Sequence, residues 1–373
     1  MTRLNLEELT NLYLLLSIDG IGPGKIKNLF IKFKSTENIL SASELELIET
    51  DGINKLLAQR IKRTIKDRRI IEEETKRELE RINNLKIKIT SLWDSDYPEL
   101  LKNIYDPPLI LYYKGALSEL DKFSIAIVGT RNPTEYGKLQ TQKITSELVE
   151  QNITTVSGLA RGIDSIAHSA TLKSKGRTIA VIGSGLNKIY PPENKKLFEE
   201  IAEKGLIFSE YKLDTQPDAG NFPQRNRIIS GLSLGCIIVE SGIPGGALQT
   251  AQFALDQNRE VFAIPGNLGV KQSEGTNTLI QKGNAKLIKN AEDVLVELEL
   301  KLKPVIGKNI PKPKPDLSLF EEKLLNILAD GQIQIDKIAS LSDLSTSDCL
   351  VHLLSLEFKG LVKQLPGKVF AVI

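Results

Sequence analysis

The sequence predicts an α/β protein. Its centre reads as a Rossmann-like, doubly wound, mostly parallel sheet, flanked by an N-terminal helical domain of helix-hairpin-helix (SAM-like) type and a C-terminal winged helix. Three observations carry this. Between residues 86 and 302, short apolar runs alternate with segments of helical period, the pattern of a parallel sheet covered on both faces. Several of those runs end in turns bearing glycine or arginine, and in open α/β sheets such turns gather at the carboxyl ends of the strands, where ligands bind. Residues 303–316 (KPVIGKNIPKPKPD) then break the pattern with four prolines, as a partly polyproline II linker does.

The elements follow in order. Residues 1–85 read as helical. Ile18-Asp19-Gly20-Ile21-Gly22-Pro23-Gly24-Lys25 makes a tight turn between two apolar helical stretches, with a weaker echo at residues 47–53. Glycines at such a helix start expose N–H groups that can hold one DNA phosphate without reading sequence; the alternative is an ordinary helical hairpin with glycine as the stop. Residues 66–82 form a charged, exposed helix. Strands are expected at 86–90, 123–128, 153–157, 178–183, 206–211, 236–240 and 260–264, with helices at 135–150, 163–174 and 194–203 between some of them. The sheet domain spans 86–302 and the linker 303–316. Residues 317–373 read as two or three helices and a hairpin around a Pro-Gly turn. The second of those helices is poor in Arg and Lys, so few phosphates would be neutralised by it.

Composition narrows the function. At 373 residues the chain has length for two or three domains. A net charge of +2 makes any nucleic-acid footprint local. Cys236 and Cys349 read as reduced, buried thiols in a cytoplasmic protein. With two histidines and no Cys/His cluster, no metal is expected. The N-terminus lacks the pattern of a signal peptide, and no apolar stretch reaches the ~18–20 residues of a membrane span.

The turns themselves point to an anion. Gly129-Thr130-Arg131 follows the first buried strand. The second strand ends in Ser157-Gly158-Leu159-Ala160-Arg161-Gly162, neutral to basic where a nicotinamide site needs an acid for the ribose, so no dinucleotide cofactor is expected. Ser157, Asp164 and His168 invite a hydrolase reading, but Ser-Gly-Leu-Ala lacks the nucleophile elbow. Phe222-Pro223-Gln224-Arg225-Asn226-Arg227 is the sharpest segment: an aromatic platform with cations beside it, as single-stranded nucleic acid requires. The competing view is an Arg–carboxylate network with Glu210 or Glu240. Charge reversal at Arg131 or Arg225 is expected to weaken binding without unfolding.

These residues carry a resemblance. Tyr97-Pro98-Glu99-Leu100, Asp106-Pro107-Pro108, Tyr113-Lys114-Gly115, Val128-Gly129-Thr130-Arg131, Tyr136-Gly137, Ser157 through Asp164, Gly183 through Tyr190-Pro191, Ser209-Glu210, Phe222 through Gly231, Gly245-Gly246, Pro265-Gly266 and Gly275-Thr276-Asn277 stand in one order over residues 90–290. In this the chain resembles the DNA-processing protein A family (DprA, also called Smf). The resemblance implies a homodimer that binds single-stranded DNA, protects it, and delivers it to the recombinase RecA past single-strand-binding protein during natural transformation. It implies a phosphate pocket of Gly129, Thr130, Arg131, Ser157, Gly158, Arg161 and Gly162, extended by Arg225, Asn226 and Arg227, with Phe222 near a base, no catalytic residue and no cofactor. The runner-up is a nucleoside-monophosphate phosphoribohydrolase. That family's P-G-G-x-G-T-x-x-E is similar to Pro244 through Gln252 here, but Leu248 replaces the glycine and Gln252 the glutamate, and a neutral amide cannot act as the carboxylate does. Glu240 is the residue that could substitute.

Overall fold

The computed structural model describes residues 5–302, 317–329, 331–342, 344–358, 361–365 and 368–372. The chain divides into two compact units, Met1–Leu302 and Lys303–Ile373. The proline-rich segment 303–316 and the Pro-Gly turn of the hairpin lie outside the described residues.

Six helices open the first unit: α1 (Leu6–Leu16), α2 (Pro23–Phe33), α3 (Thr36–Ser41), α4 (Glu44–Ile48), α5 (Lys55–Thr64) and α6 (Arg68–Asn84). Asn5 and Glu8 form a reciprocal capping box that starts α1. The turn to α2 passes through Gly20 at φ 86°, and Pro23 sits in the first helical turn of α2. These helices share a core with the sheet. Phe30 stacks on Trp93 with ring centroids 3.9 Å apart, and the hydroxyls of Tyr13 and Tyr112 meet in the interior. The ammonium of Lys212 lies 3.3 Å from the centroid of the Tyr13 ring.

The sheet has nine strands, β1 (Lys88–Ser91), β2 (Ile110–Gly115), β3 (Ser124–Val128), β4 (Thr154–Ser157), β5 (Thr178–Val181), β6 (Leu206–Ser209), β7 (Gly235–Ile238), β8 (Glu260–Ala263) and β9 (Lys286–Leu287). Their order is β1-β2-β6-β5-β4-β3-β7-β8-β9. From β6 to β9 all neighbours are parallel; β1 and β2 add an antiparallel edge. The helices of this region are α7 (Glu99–Lys102), α8 (Glu135–Glu150), α9 (Ile163–Lys173), α10 (Lys195–Lys204), α11 (Asn221–Gly231), α12 (Gly246–Asp256), α13 (Glu274–Gln281) and α14 (Ala291–Leu302). The chain winds outward from β3 through β4, β5 and β6, then returns to the other side of β3 at β7. The strand order reverses there, and a crevice opens beyond the carboxyl ends of β3 and β7. α8 packs with α9 and α11 with α12; right-handed crossovers in opposite directions put these pairs on opposite faces.

The second unit contains α15 (Leu319–Leu328), α16 (Ile335–Ser342), α17 (Thr346–Phe358) and a small sheet of β10 (Ile333–Gln334), β11 (Val362–Leu365) and β12 (Val369–Val372), ordered β10-β12-β11. Three helices followed by a hairpin give the winged-helix arrangement. Its core is Leu324, Leu328, Ile338, Cys349, Leu353, Leu356 and Phe370. α17 carries no Lys or Arg, and its outward face presents Val351 and Leu354, 65% and 53% exposed. Among the described residues no helix is long and apolar enough to cross a membrane, and no group of side chains could hold a metal ion.

Candidate nucleic-acid interface

The crevice at the strand reversal is a cleft of about 780 Å³. Its walls come from the β3 turn (Gly129, Thr130, Arg131, Asn132), the start of α11 (Phe222, Pro223, Arg225, Asn226), the start of α12 (Gly245, Gly246) and Lys271. Each wall is set by local backbone chemistry. Gly162, at φ 77°, lets the β4–α9 turn pass directly over the β3 turn; a Cβ there would collide with the Thr130 and Arg131 carbonyls. The N–H of Ile163 donates to the Thr130 carbonyl at 3.2 Å, and the Thr130 N–H donates to the Glu240 carbonyl at 2.7 Å. The Thr130 amide is therefore occupied, and the turn offers a ligand chiefly its Arg131 side chain. That side chain is exposed and lies 5.8 Å from the Phe222 ring centroid.

Arg225 forms the floor. It is 4% exposed. Its Nη1 donates to the carbonyls of Gly158, at 2.6 Å, and Val181. Gly158 must be glycine, since a Cβ there would run into the guanidinium. Nε and Nη2 have no hydrogen-bond partner among the described residues, and Arg225 makes no ion pair among them. Burial pulls its pKa down to about 10, partly offset by the field of Asp164, so it stays charged at neutral pH. Asp164 is itself buried, which raises its pKa against the opposing effects of Arg225 and the Gly158 N–H. That N–H donates to Asp164 Oδ2 at 3.1 Å. Asp164 is the one carboxylate among the described residues lining the cleft. A fixed, desolvated cation under a cleft is a receptor for an anion.

The remaining residues expected at the site divide. Gly129, Thr130, Arg131, Phe222, Arg225 and Asn226 come together in the cleft. Gly158 and Arg161 border a small annex with Arg131, Tyr190 and Phe222; Arg161 pairs there with Glu193, both about half exposed. Ser157 is buried, and its hydroxyl donates to the Ile127 carbonyl at 2.6 Å, tying β4 to β3. Arg227 does not reach the cleft. Its Nη2 lies 2.7 Å from Glu210 and its Nε 3.2 Å from Asp106, and these carboxylates outweigh burial to hold its pKa up. The carboxylate network expected as the competing view thus exists, through Glu210, for Arg227 alone.

Glu240 turns elsewhere. Its carboxylate accepts from the Thr134 N–H at 2.9 Å and from the Thr134 hydroxyl, at the start of α8. Gln252 is exposed and donates to Asp256 at 2.8 Å. His168 is buried with Nδ1 on the Thr178 hydroxyl at 2.7 Å, so Ser157, Asp164 and His168 form no relay. Gly275-Thr276-Asn277 is a brace: Gly275 N–H meets the Ser241 carbonyl at 2.8 Å, and the Asn277 amide bonds both backbone groups of Gly266. The expectation that Arg225 tolerates charge reversal is corrected by its surroundings. A carboxylate there would be buried beside Asp164 and two carbonyls.

Sequence reasoning missed Tyr190, Lys271 and the use of Gly245-Gly246 as a cleft wall. The Gly-Gly turn was visible as an anion-type turn at a helix start, and Tyr190-Pro191 as a family motif. Lys271 had no signal, since its loop has neither periodicity nor motif.

Comparison with known proteins places the chain. The family model described as DNA recombination-mediator protein A matches residues 88–299. The DprA winged helix domain matches 309–368, and the SAM-like helix-hairpin-helix tandem matches 12–67. Protein Smf of Synechocystis sp. is 37% identical over 389 residues, covering 94% of this chain and 95% of its own. DNA processing protein DprA of Bacillus subtilis is 49% identical over 203 residues, 54% of this chain and 68% of its own. The X-ray structure of DNA processing protein A from Streptococcus pneumoniae superposes with a TM-score of 0.66 at 36% identity, over 80% of this chain and 99% of that one. The Helicobacter pylori protein, whose structure was described for its single-stranded DNA binding mode, gives 0.52 at 36% identity over 57% and 96%.

Proposed function

The chain belongs to the DNA recombination-mediator protein A family, and we propose from that premise that it binds single-stranded DNA in the cleft between β3 and β7 and mediates recombination without a catalytic step. The observation that carries the reading is Arg225: a buried guanidinium whose Nε is unpartnered and which has no carboxylate paired to it among the described residues, under a cleft whose mouth adds Arg131. A phosphodiester supplies the missing negative charge and acceptor oxygens. Phosphate contacts position a strand and do not specify its sequence, so sequence preference is slight. A duplex holds its bases stacked inside, which leaves an aromatic at the cleft without a partner and favours single strands.

Family membership supports a wider role, which we propose as follows. A homodimer places two clefts on one strand and gains avidity; the strand is shielded and passed to RecA, displacing single-strand-binding protein, during natural transformation. The phosphate contacts we assign are Arg131 and Arg225, with Gly129, Thr130 and Asn226 shaping the wall. Gly158, Gly162 and Ser157 build the pocket from behind, and Arg227 stabilises α11. The hydrolase alternative is disfavoured because Glu240 and Gln252 are both engaged elsewhere.

Fluorescence anisotropy with labelled oligothymidine and a matched duplex, across salt, tests the reading. Tight single-strand binding whose log affinity falls steeply with log salt supports it, each phosphate contact adding roughly 0.7 to the slope. Strand-indifferent or salt-insensitive binding overturns it. Release of ribose phosphate from a nucleoside monophosphate would instead establish the hydrolase.

A further inference from the structure

We propose that Tyr190, and not Phe222, is the side chain on which a base of the bound strand stacks. The inference rests on the single-strand reading above and makes that site depend on bases as well as phosphates. A stacking platform needs an open ring face. Phe222 is half-buried and crowded: the Arg131 guanidinium lies 5.8 Å from its centroid, that of Arg225 6.0 Å, and the Tyr190 ring 5.7 Å at 47°. Its surroundings are already occupied by two cations and a ring. Tyr190 covers one side of Phe222 while remaining 37% exposed at the mouth.

Tyr190 lines both the main cleft and the annex. The annex also holds Arg131, Arg161 and Phe222, so a nucleotide whose phosphate engages Arg131 meets both rings, of which Tyr190 is the more exposed. The loop that carries Tyr190 is ordered before any ligand arrives. Gly185 N–H donates to the Thr215 carbonyl at 3.0 Å, the Ser184 hydroxyl to the Lys188 carbonyl at 2.6 Å, and Asn187 bonds Asp214 at 2.9 Å. Beyond Tyr190, Asn194 bonds the Leu159 carbonyl and the Ser165 hydroxyl, each at 2.8 Å. A platform ordered in advance loses little entropy when a base settles on it. Phe222 then acts as a positioning residue, a wedge that sets Tyr190 and the two guanidinium groups.

The test is a cycle of two ligands and four proteins: oligothymidine and an abasic strand of equal length, with wild type, Tyr190→Leu, Tyr190→Trp and Phe222→Leu. Tyr190→Leu is expected to weaken oligothymidine about ten-fold, as loss of one stacked base does, with the salt slope unchanged and abasic binding unchanged. Tyr190→Trp is expected to bind oligothymidine at least as tightly as wild type. Equal losses on both ligands would mean that Tyr190 acts only by packing, and overturn the inference. So would an unchanged Tyr190→Leu beside a ten-fold loss in Phe222→Leu. A wild-type protein that fails to bind oligothymidine removes the single-strand reading itself, a result distinct from either of these.

Discussion

Arg225 and Arg227 stand two residues apart on one helix and end in opposite circumstances. Arg227 is clamped by Glu210 and Asp106, and every charge near it is matched. Arg225 has carbonyls on one side and the cleft on the other, with no ion pair among the described residues. The two differ far more in neighbours than in exposure, Arg225 being buried and Arg227 nearly so. The helical period turns positions two apart toward different faces: one side of α11 meets the end of β6 and the loop between α7 and β2, the other meets the strand reversal. One arginine is structural and the other is a receptor because of which carboxylates the fold brings near.

The largest expected effect breaks the structural side. Arg227→Ala leaves Glu210 and Asp106 without their cation and should cost about 3 kcal/mol of stability, the low end for removing one partner of a shielded pair, which here is Arg227 with Glu210. Chemical denaturation measures it. The folded fraction should bind oligothymidine as wild type does, and a loss of affinity there would erase the distinction between the two arginines.

Next comes a pH effect from the ground beneath Arg225. His168 is buried and neutral, its pKa lowered to about 3 by burial and then by Arg225, against about 6.5 when unfolded. The unfolded state binds the proton first, so stability is complete above pH 6.5 and declines as pH falls from there toward 3. Between pH 7 and 4.5 the loss should be about 2–3 kcal/mol. In His168→Gln that part of the decline should vanish; an equally steep decline would assign the acid sensitivity to other groups.

A comparable but selective effect belongs to the ligand side. Arg131→Glu should weaken oligothymidine by about thirty-fold, near 2 kcal/mol for one charged contact, and Arg131→Ala should lower the salt slope by roughly 0.7. Arg131 is exposed, so melting should not move. Unchanged affinity in a folded Arg131→Glu would take the cleft out of the binding site.

Much of this was legible in the chain. The strand runs at 123–128, 153–157 and 178–183 announced β3, β4 and β5 by their apolar content, and the glycine-arginine turns marked the carboxyl ends where the cleft lies. The antiparallel edge strand β2 was not read, because Ile110–Gly115 carries no crossover helix to mark it. α12 and α13 went unread as helices, their starts being seen only as glycine turns. Nor could sequence separate Arg225 from Arg227. The difference lies in Glu210 and Asp106, the latter 121 residues away along the chain. Phe222 read as a free platform because Arg131 and Tyr190, which crowd it beside its helix neighbour Arg225, come from two other loops. Spacing shows which residues share an element; it does not show what another element places against them.

The smallest effect concerns the second unit. Removing residues 304–373 should leave most oligothymidine affinity in place, within about two-fold at moderate salt, because α17 offers no cation and so neutralises no phosphate. Its outward Val351 and Leu354 are suited to apolar contact and poorly suited to a charged backbone. Duplex affinity should change as little. The comparison then extends from two arginines to two units: in each case the position expected to bind is the one where the fold sets an arginine toward the cleft, and α17 carries none. A large loss of single-strand affinity on truncation would break that rule and move the principal contact out of the β3–β7 cleft. A loss confined to long strands, with short oligothymidine unaffected, would keep the contact where it is and give the second unit a role in bringing two clefts onto one strand.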